Sequence, residues 1–225
     1  MTERQASGAD LVAQAKVGLG RFITFEGGEG AGKSTQARLL ADGLRTAGIE
    51  CVLTREPGGA PGAEVLRGLL LAPDAEWAAQ TELLLHFAAR AEHVSKTILP
   101  ALQRGAWVVC DRFTDSTMAY QGFGLAGNRG QIAELGRMMA ASPDLTLVLD
   151  VPEEVALARL AQRPGAMLDR YERLGPEFFA RVNGAFRVIA AEAPERCAVV
   201  AAGGDLASVQ AEIWRVVAAR FGIAA

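Results

Sequence analysis

Five short runs of consecutive apolar residues recur along the chain, at 21–26 (RFITFE), 50–54 (ECVLT), 106–110 (AWVVC), 145–150 (LTLVLD) and 197–201 (CAVVA). Several are apolar at successive rather than alternate positions, as a strand covered on both faces requires. Between them lie stretches with helical spacing, at about 33–47, 79–99, 130–141, 153–162, 176–192 and 205–221. In the last, Leu206, Val209, Ile213, Val216 and Phe221 recur near helical spacing, and Asp205 is placed to cap the start. Strand alternating with helix predicts an α/β fold, a five-stranded parallel sheet with helices on both faces. Two Gly/Pro-rich patches, 56–62 and 122–130, fall at connections where such folds put ligands. Residues 1–20 carry neither strong periodicity nor the long apolar core of a secretory signal. They read as a mobile N-terminal extension to a single domain over 21–225, and a cytoplasmic location is expected.

Composition narrows the class. At 225 residues with 50% hydrophobic and 22% charged side chains, the chain suits an ordered globular domain. No uninterrupted apolar run approaches the ~20 residues that cross a bilayer, so no membrane partner is expected. The net charge of -3 speaks against a generic nucleic-acid binder and requires the basic groups for any anionic ligand to be concentrated locally. Cys51, Cys110 and Cys197 lie far apart, which suggests neither a disulfide framework nor a zinc site.

The first strand runs into Gly27-Gly28-Glu29-Gly30-Ala31-Gly32-Lys33-Ser34, with Thr35 next. This matches G-x-x-x-x-G-K-[ST] between a strand and a helix, the context that confirms a phosphate-binding loop. Glycines let the backbone wrap a phosphate chain with its amides pointing inward, and the following helix adds the positive end of its dipole. Lys33 would reach the β- and γ-phosphates of ATP, and Ser34 would ligate Mg²⁺. A turn that merely joins strand to helix does not explain Lys33 and Ser34 at those offsets. The Asp-x-x-Gly and Asn-Lys-x-Asp signals of a GTPase are both absent, and a helicase needs more chain. A small phosphotransferase remains.

The third strand ends in Asp111-Arg112-Phe113 and the second in Thr54-Arg55-Glu56-Pro57-Gly58-Gly59. A planar guanidinium at a strand end can fork onto a phosphate, and two at the same sheet edge favour an anion site over structural ion pairs. The helix from about 79 carries His86, Phe87 and Arg90 near one face, with Leu83 and Val94 close by. A ring and a guanidinium at this spacing suit a planar base, but residue by residue core packing of Phe87 beside a satisfied surface Arg90 is the favoured reading.

Taken together, FEGGEGAGKST, TREPGG, the FAAR helix, VCDRFTDSTMAYQG and PDLTLVLDV resemble the thymidylate kinase family, from about Arg21 to the C-terminus. The Asp-Arg…Ser-Thr-x-Ala-Tyr-Gln run is the most particular of these. The resemblance implies a nucleoside-monophosphate-kinase-like three-layer fold, ATP-dependent phosphorylation of dTMP to dTDP with Mg²⁺, and a homodimer. It implies that Glu29 faces the sugar 3′-hydroxyl or the metal shell, and that Arg55 and Arg112 grip the acceptor phosphate. Glu56 and Asp111 would lie near Mg²⁺ through waters. Arg90 and Thr117 would read the pyrimidine edge beside Ser116, with Gln121 assisting. Tyr120 would close the space where a ribose 2′-hydroxyl sits. The family's base-stacking aromatic stands four residues before the arginine, where this chain has His86; either His86 stacks, or a small helix rotation presents Phe87. Phe113 stands where Tyr or His is frequent.

After Asp150, a helix leads into Arg159, Arg163, Pro164-Gly165, Arg170 and Tyr171, which reads as a lid at about 159–173. The loop itself has no arginine, so the resemblance assigns charge stabilisation to these lid arginines, as in many bacterial members; pairing with Glu153, Glu154, Asp169 and Glu172 is the plainer alternative. A phosphate-monoester acceptor is already anionic near pH 7, so catalysis needs positioning and charge neutralisation rather than a general base. A nucleotide-binding regulatory protein without turnover is the rival class.

Overall fold

A computed structural model describes residues 20–162, 171 and 173–223. Five strands, β1 (Phe22–Glu26), β2 (Cys51–Arg55), β3 (Trp107–Asp111), β4 (Leu145–Asp150) and β5 (Cys197–Ala201), pair in the order β2-β3-β1-β4-β5. All four pairings are parallel. Every residue of β1 is buried, including its two polar ones, Thr24 and Glu26.

The faces of β1 alternate. Ile23 and Phe25 enter a core with Leu40 and Leu44 of α1 (Lys33–Thr46) and Ile213 and Val217 of α9 (Leu206–Phe221). Phe22 packs on the other face, meeting Val94, Ile98 and an edge-on Phe113 ring at 5.0 Å. Burying each such side chain contributes roughly 1.5–3 kcal/mol. Asp205 caps α9 by accepting from the amides of Ala207 and Ser208, as its position predicted.

The helices differ from expectation in three places. α2 (Pro61–Leu71) occupies a stretch that reads as loop, because Gly62 and Gly68 interrupt it and Val65 and Leu69 stay exposed, leaving no clean apolar face. α3 (Ala79–His93) runs through a π-helical turn, Val94–Ile98, into α4 (Leu99–Gln103), longer than its periodicity suggests. Directly after β3, α5 (Thr114–Thr117) opens into a second π-helical turn, Met118–Gly124. The rest, α6 (Arg129–Arg137), α7 (Glu153–Ala161) and α8 (Pro176–Glu192), fall where predicted, although α6 stops short of 141.

Register assembles the site. Phe25 and Arg55 both pair with Asp111, so the carboxyl ends of β1, β2 and β3 lie side by side. The loop after β1, Arg112 and Glu56 therefore emerge at one edge of the sheet, where open α/β folds bind ligands. Residues 1–19, Arg163 and Arg170 lie outside the described residues, so the extension and much of the expected lid stay outside this account.

Candidate active site

The loop between β1 and α1 is built to hold an anion. Gly32 precedes α1 in the left-handed region with no side-chain cap, and the first helical turn carries no acid. Its amides and the helix dipole are thereby left for a ligand. Gly30 has φ 74°, and a Cβ there would stand 2.5 Å from the carbonyl oxygen of Ala156, so only glycine fits. Lys33 folds back over the loop and donates to the carbonyls of Gly27 (3.0 Å) and Gly28 (2.6 Å). Burial, and then the charge of Arg112, lowers its pKa to about 8. Phosphates entering the loop supply the opposite charge that reverses this shift.

Beside the loop lies a cavity of about 510 Å³. Glu29, Gly30, Gly32, Lys33, Ser34 and Thr35 contribute to one wall, and Arg55, Glu56, Asp111 and Arg112 to another. His86, Arg90, Ser116, Thr117, Tyr120 and Gln121 complete it. Gly27, Gly28, Ala31 and Phe87 are not part of its lining.

Arg112 sits at the centre. Its φ is 70°, unusual for a side chain with a Cβ, and the turn is pinned by its own amide on Phe25 O and by the Phe113 amide on Glu26 Oε1 (2.7 Å). The guanidinium pairs with Glu29 and donates to Ser116 Oγ and to the Tyr120 hydroxyl, both at 3.1 Å. Tyr120 in turn donates to Glu29 at 2.8 Å. Glu29 therefore faces Arg112 and Tyr120 rather than standing alone in the loop. Burial works against the Arg112 charge, yet Tyr120, Glu29, Asp111 and Glu26 together raise its pKa. Ser116 hands its own proton to Glu26 Oε2 at 2.6 Å. Burial, followed by the nearby Asp115, pushes Glu26 up to about 7.

Arg55 is half exposed and donates from Nη2 to both carboxylate oxygens of Glu64 of α2 at 3.1–3.2 Å. Such a pair is worth only about 0–1 kcal/mol, so an arriving phosphate competes with it readily. Arg67 of α2 also lines the cavity and donates to Pro57 O at 2.6 Å.

His86 lines the cavity, whereas Phe87 turns inward against Leu83 and Ile132. Phe87 instead lies 4.8 Å from the Arg90 guanidinium, with Phe113 at 5.2 Å. Glu56, expected near Mg²⁺, has both oxygens engaged by Arg90 Nε (2.7 Å) and His93 Nδ1 (3.0 Å). That engagement ties Glu56 to Arg90, while it still lines the cavity. Arg159 lies off the cavity and reaches the backbone oxygens of Gly204 (3.1 Å) and, loosely, Gly30 (3.5 Å). It flanks the phosphate loop.

A Mg²⁺ ion fits the donors present. Ser34 Oγ donates to Asp111 Oδ2, and Asp111 Oδ1 is buried with no hydrogen-bond partner. Mg²⁺ commonly takes one or two protein oxygens and completes its shell with substrate phosphates and water. The described residues hold no group of three or more His, Cys, Asp or Glu side chains that would form an all-protein cage.

Sequence reasoning missed Glu26, Glu82, His93, Arg67 and Tyr171. Glu82, Gln121, Tyr171 and His86 form one buried polar cluster: Gln121 donates to Glu82 (2.9 Å) and to the Tyr171 hydroxyl (3.1 Å), and Tyr171 donates to Glu82 (2.7 Å). His86 Nε2 stands 3.0 Å from the same hydroxyl.

A parallel sheet, a loop closing on Lys33 and an arginine-lined cavity across from it define a P-loop phosphotransferase of the nucleoside monophosphate kinase class. A sequence model of the family described as Thymidylate kinase matches residues 25–213. The chain is 50% identical over 213 residues to the thymidylate kinase of Afipia carboxidovorans, covering 92% of each. It is 55% identical over 194 residues to that of Pseudomonas fluorescens, covering 85% of this chain and 91% of the relative. The crystal structure of thymidylate kinase from Ehrlichia chaffeensis superposes with a TM-score of 0.72 at 36% identity, covering 88% of this chain and 98% of that one. The chain belongs to the thymidylate kinase family. It is a nucleotide-biosynthetic transferase that phosphorylates dTMP to dTDP with ATP.

Proposed function

We propose that the cavity takes dTMP against Arg55 and Arg112 and the ATP phosphates over the Gly27–Thr35 loop, with Mg²⁺ held by Ser34 and Asp111. The observation that carries this is the opening of Lys33, the Ser34–Asp111 pair and Arg112 onto one cavity. Arg112 and Arg55 hold the acceptor phosphate in line, and Lys33 neutralises charge on the transferred group. When bound, the cation supplies further neutralisation of phosphate charge. Tyr120, fixed by Glu29 and Arg112, closes the sugar side against a 2′-hydroxyl. His86 provides the platform for the base, and Arg90, Thr117 and Gln121 read its edge. Arg159 serves the ATP side; Arg163 and Arg170 retain the charge-stabilising role that the family resemblance gives them.

The working form is a cytoplasmic homodimer. Val65 and Leu69 of α2 and Leu84 of α3 stay 68%, 44% and 48% exposed, an apolar face that a second copy would cover. No helix among the described residues is long and apolar enough to cross a membrane.

A Mg²⁺ titration of turnover tests the metal assignment. Asp111→Asn is expected to raise the half-saturating Mg²⁺ about tenfold or more while the KM for dTMP stays near its starting value. An unaltered Mg²⁺ requirement would remove Asp111 from the metal site.

A further inference from the structure

The base-side arginine is held by a buried relay that the reaction itself does not use. Arg90 is 3% exposed. Its Nη2 donates to Phe113 O (3.1 Å) and Thr117 Oγ1 (3.0 Å), and its Nε to Glu56 Oε2 (2.7 Å). Among the described residues its Nη1 is buried with no partner, although Arg90 lines the cavity. A buried guanidinium donor is costly to leave unpaired, so the fold has reserved it for a ligand acceptor.

What fixes the guanidinium is a chain of groups behind it. Glu56 Oε1 meets His93 Nδ1 at 3.0 Å, and His93 Nε2 meets Thr54 Oγ1 at 2.7 Å. His93 is fully buried. The carboxylate can only accept, so Nδ1 carries a proton and donates to Glu56, while Nε2 shares a hydrogen bond with the Thr54 hydroxyl. The turn after β2 is moulded onto this pair. Gly59 has φ 84°, and a Cβ there would lie 2.4 Å from both His93 Nε2 and Thr54 Oγ1. Thr97, in the π-helical turn that follows His93, donates to Gly59 O at 2.7 Å and locks the turn in place. The two rings beside the guanidinium, Phe87 and Phe113, offer it no hydrogen-bond acceptor, so its orientation depends on Glu56 and the Phe113–Thr117 end.

We infer that Thr54, His93 and Glu56 are positioning residues that aim the unpaired Nη1 of Arg90 at the acceptor base, so that discrimination at the pyrimidine 4-position depends on His93. A 4-carbonyl accepts that donor; a 4-amino group, itself a donor, opposes it. This rests on the reading of Arg90 as the group that meets the base.

The test is the ratio of kcat/KM for dTMP over dCMP, with the KM for ATP as reference. Arg90→Met checks the underlying reading, and an unchanged ratio in that variant overturns it. His93→Phe removes the donor to Glu56 and is expected to lower the ratio about tenfold, with the ATP KM within about twofold. His93→Asn keeps an amide donor on the Nδ1 side and is expected to recover most of the ratio. A packing role alone predicts the reverse order, with the ring-conserving variant the milder. If Arg90→Met loses discrimination while His93→Phe keeps it, the relay is wrong and the base contact stands. Should His93→Phe fail to fold, Glu56→Gln is read in the same way: a retained ratio overturns the relay, and a lowered one supports it.

Discussion

Lys33→Ala is expected to reduce kcat by about 10³-fold while the fold persists. The ammonium sits over the loop on the Gly27 and Gly28 carbonyls, the place where a phosphate chain would lie. Removing a preorganised charge aimed at a transferring phosphoryl group costs about 10²–10³-fold or more in well-studied sites. The thermal midpoint should fall little, because the buried ammonium is itself held at a desolvation penalty that lowers its pKa. Steady-state turnover and thermal unfolding of the same preparation check both halves. Turnover within tenfold of the parent would remove Lys33 from its proposed role.

Arg112→Ala is expected to lower kcat/KM for dTMP by about 10²–10³-fold, with a much smaller change in the KM for ATP. The guanidinium is the hub of Glu29, Ser116 and Tyr120, and its turn is pinned by the buried Glu26. Alanine also strands the Glu29 carboxylate, so some loss of stability accompanies the loss of activity. Arg112→Lys separates the two effects: it keeps the charge beside Glu29 but has no planar fork. Activity near that of alanine, with stability near that of the parent, identifies bidentate grip as the function. Full activity in the lysine variant would reduce Arg112 to a point charge.

The five strands and the loop at Gly27–Thr35 were legible because each depends on short-range signals, continuous apolar runs and glycines at set offsets from Lys33. The end residues Arg55 and Asp111 were equally accessible, since parallel register brings strand ends together. Choosing between His86 and Phe87 was not possible from spacing. They lie 100° apart around α3, and only the packing of α6 through Ile132 decides which one turns inward. Glu26 and His93 stand out by no spacing of their own, and their partners are 87 to 90 and 37 to 39 residues away in the chain. Glu56 shows the limit most plainly. The family resemblance put it near Mg²⁺ through waters, and nothing in the spacing showed that α3 brings Arg90 and His93 to its two oxygens.

Selection of deoxythymidylate as the acceptor is read out by supplying ATP and Mg²⁺ with dTMP, dUMP, TMP-ribose, dCMP, dGMP or AMP in turn and following ADP formation. The highest kcat/KM is expected for dTMP, with TMP-ribose disfavoured by Tyr120 and dCMP by Arg90. A higher kcat/KM for any other monophosphate, or ATP binding without turnover on any of them, would contradict it.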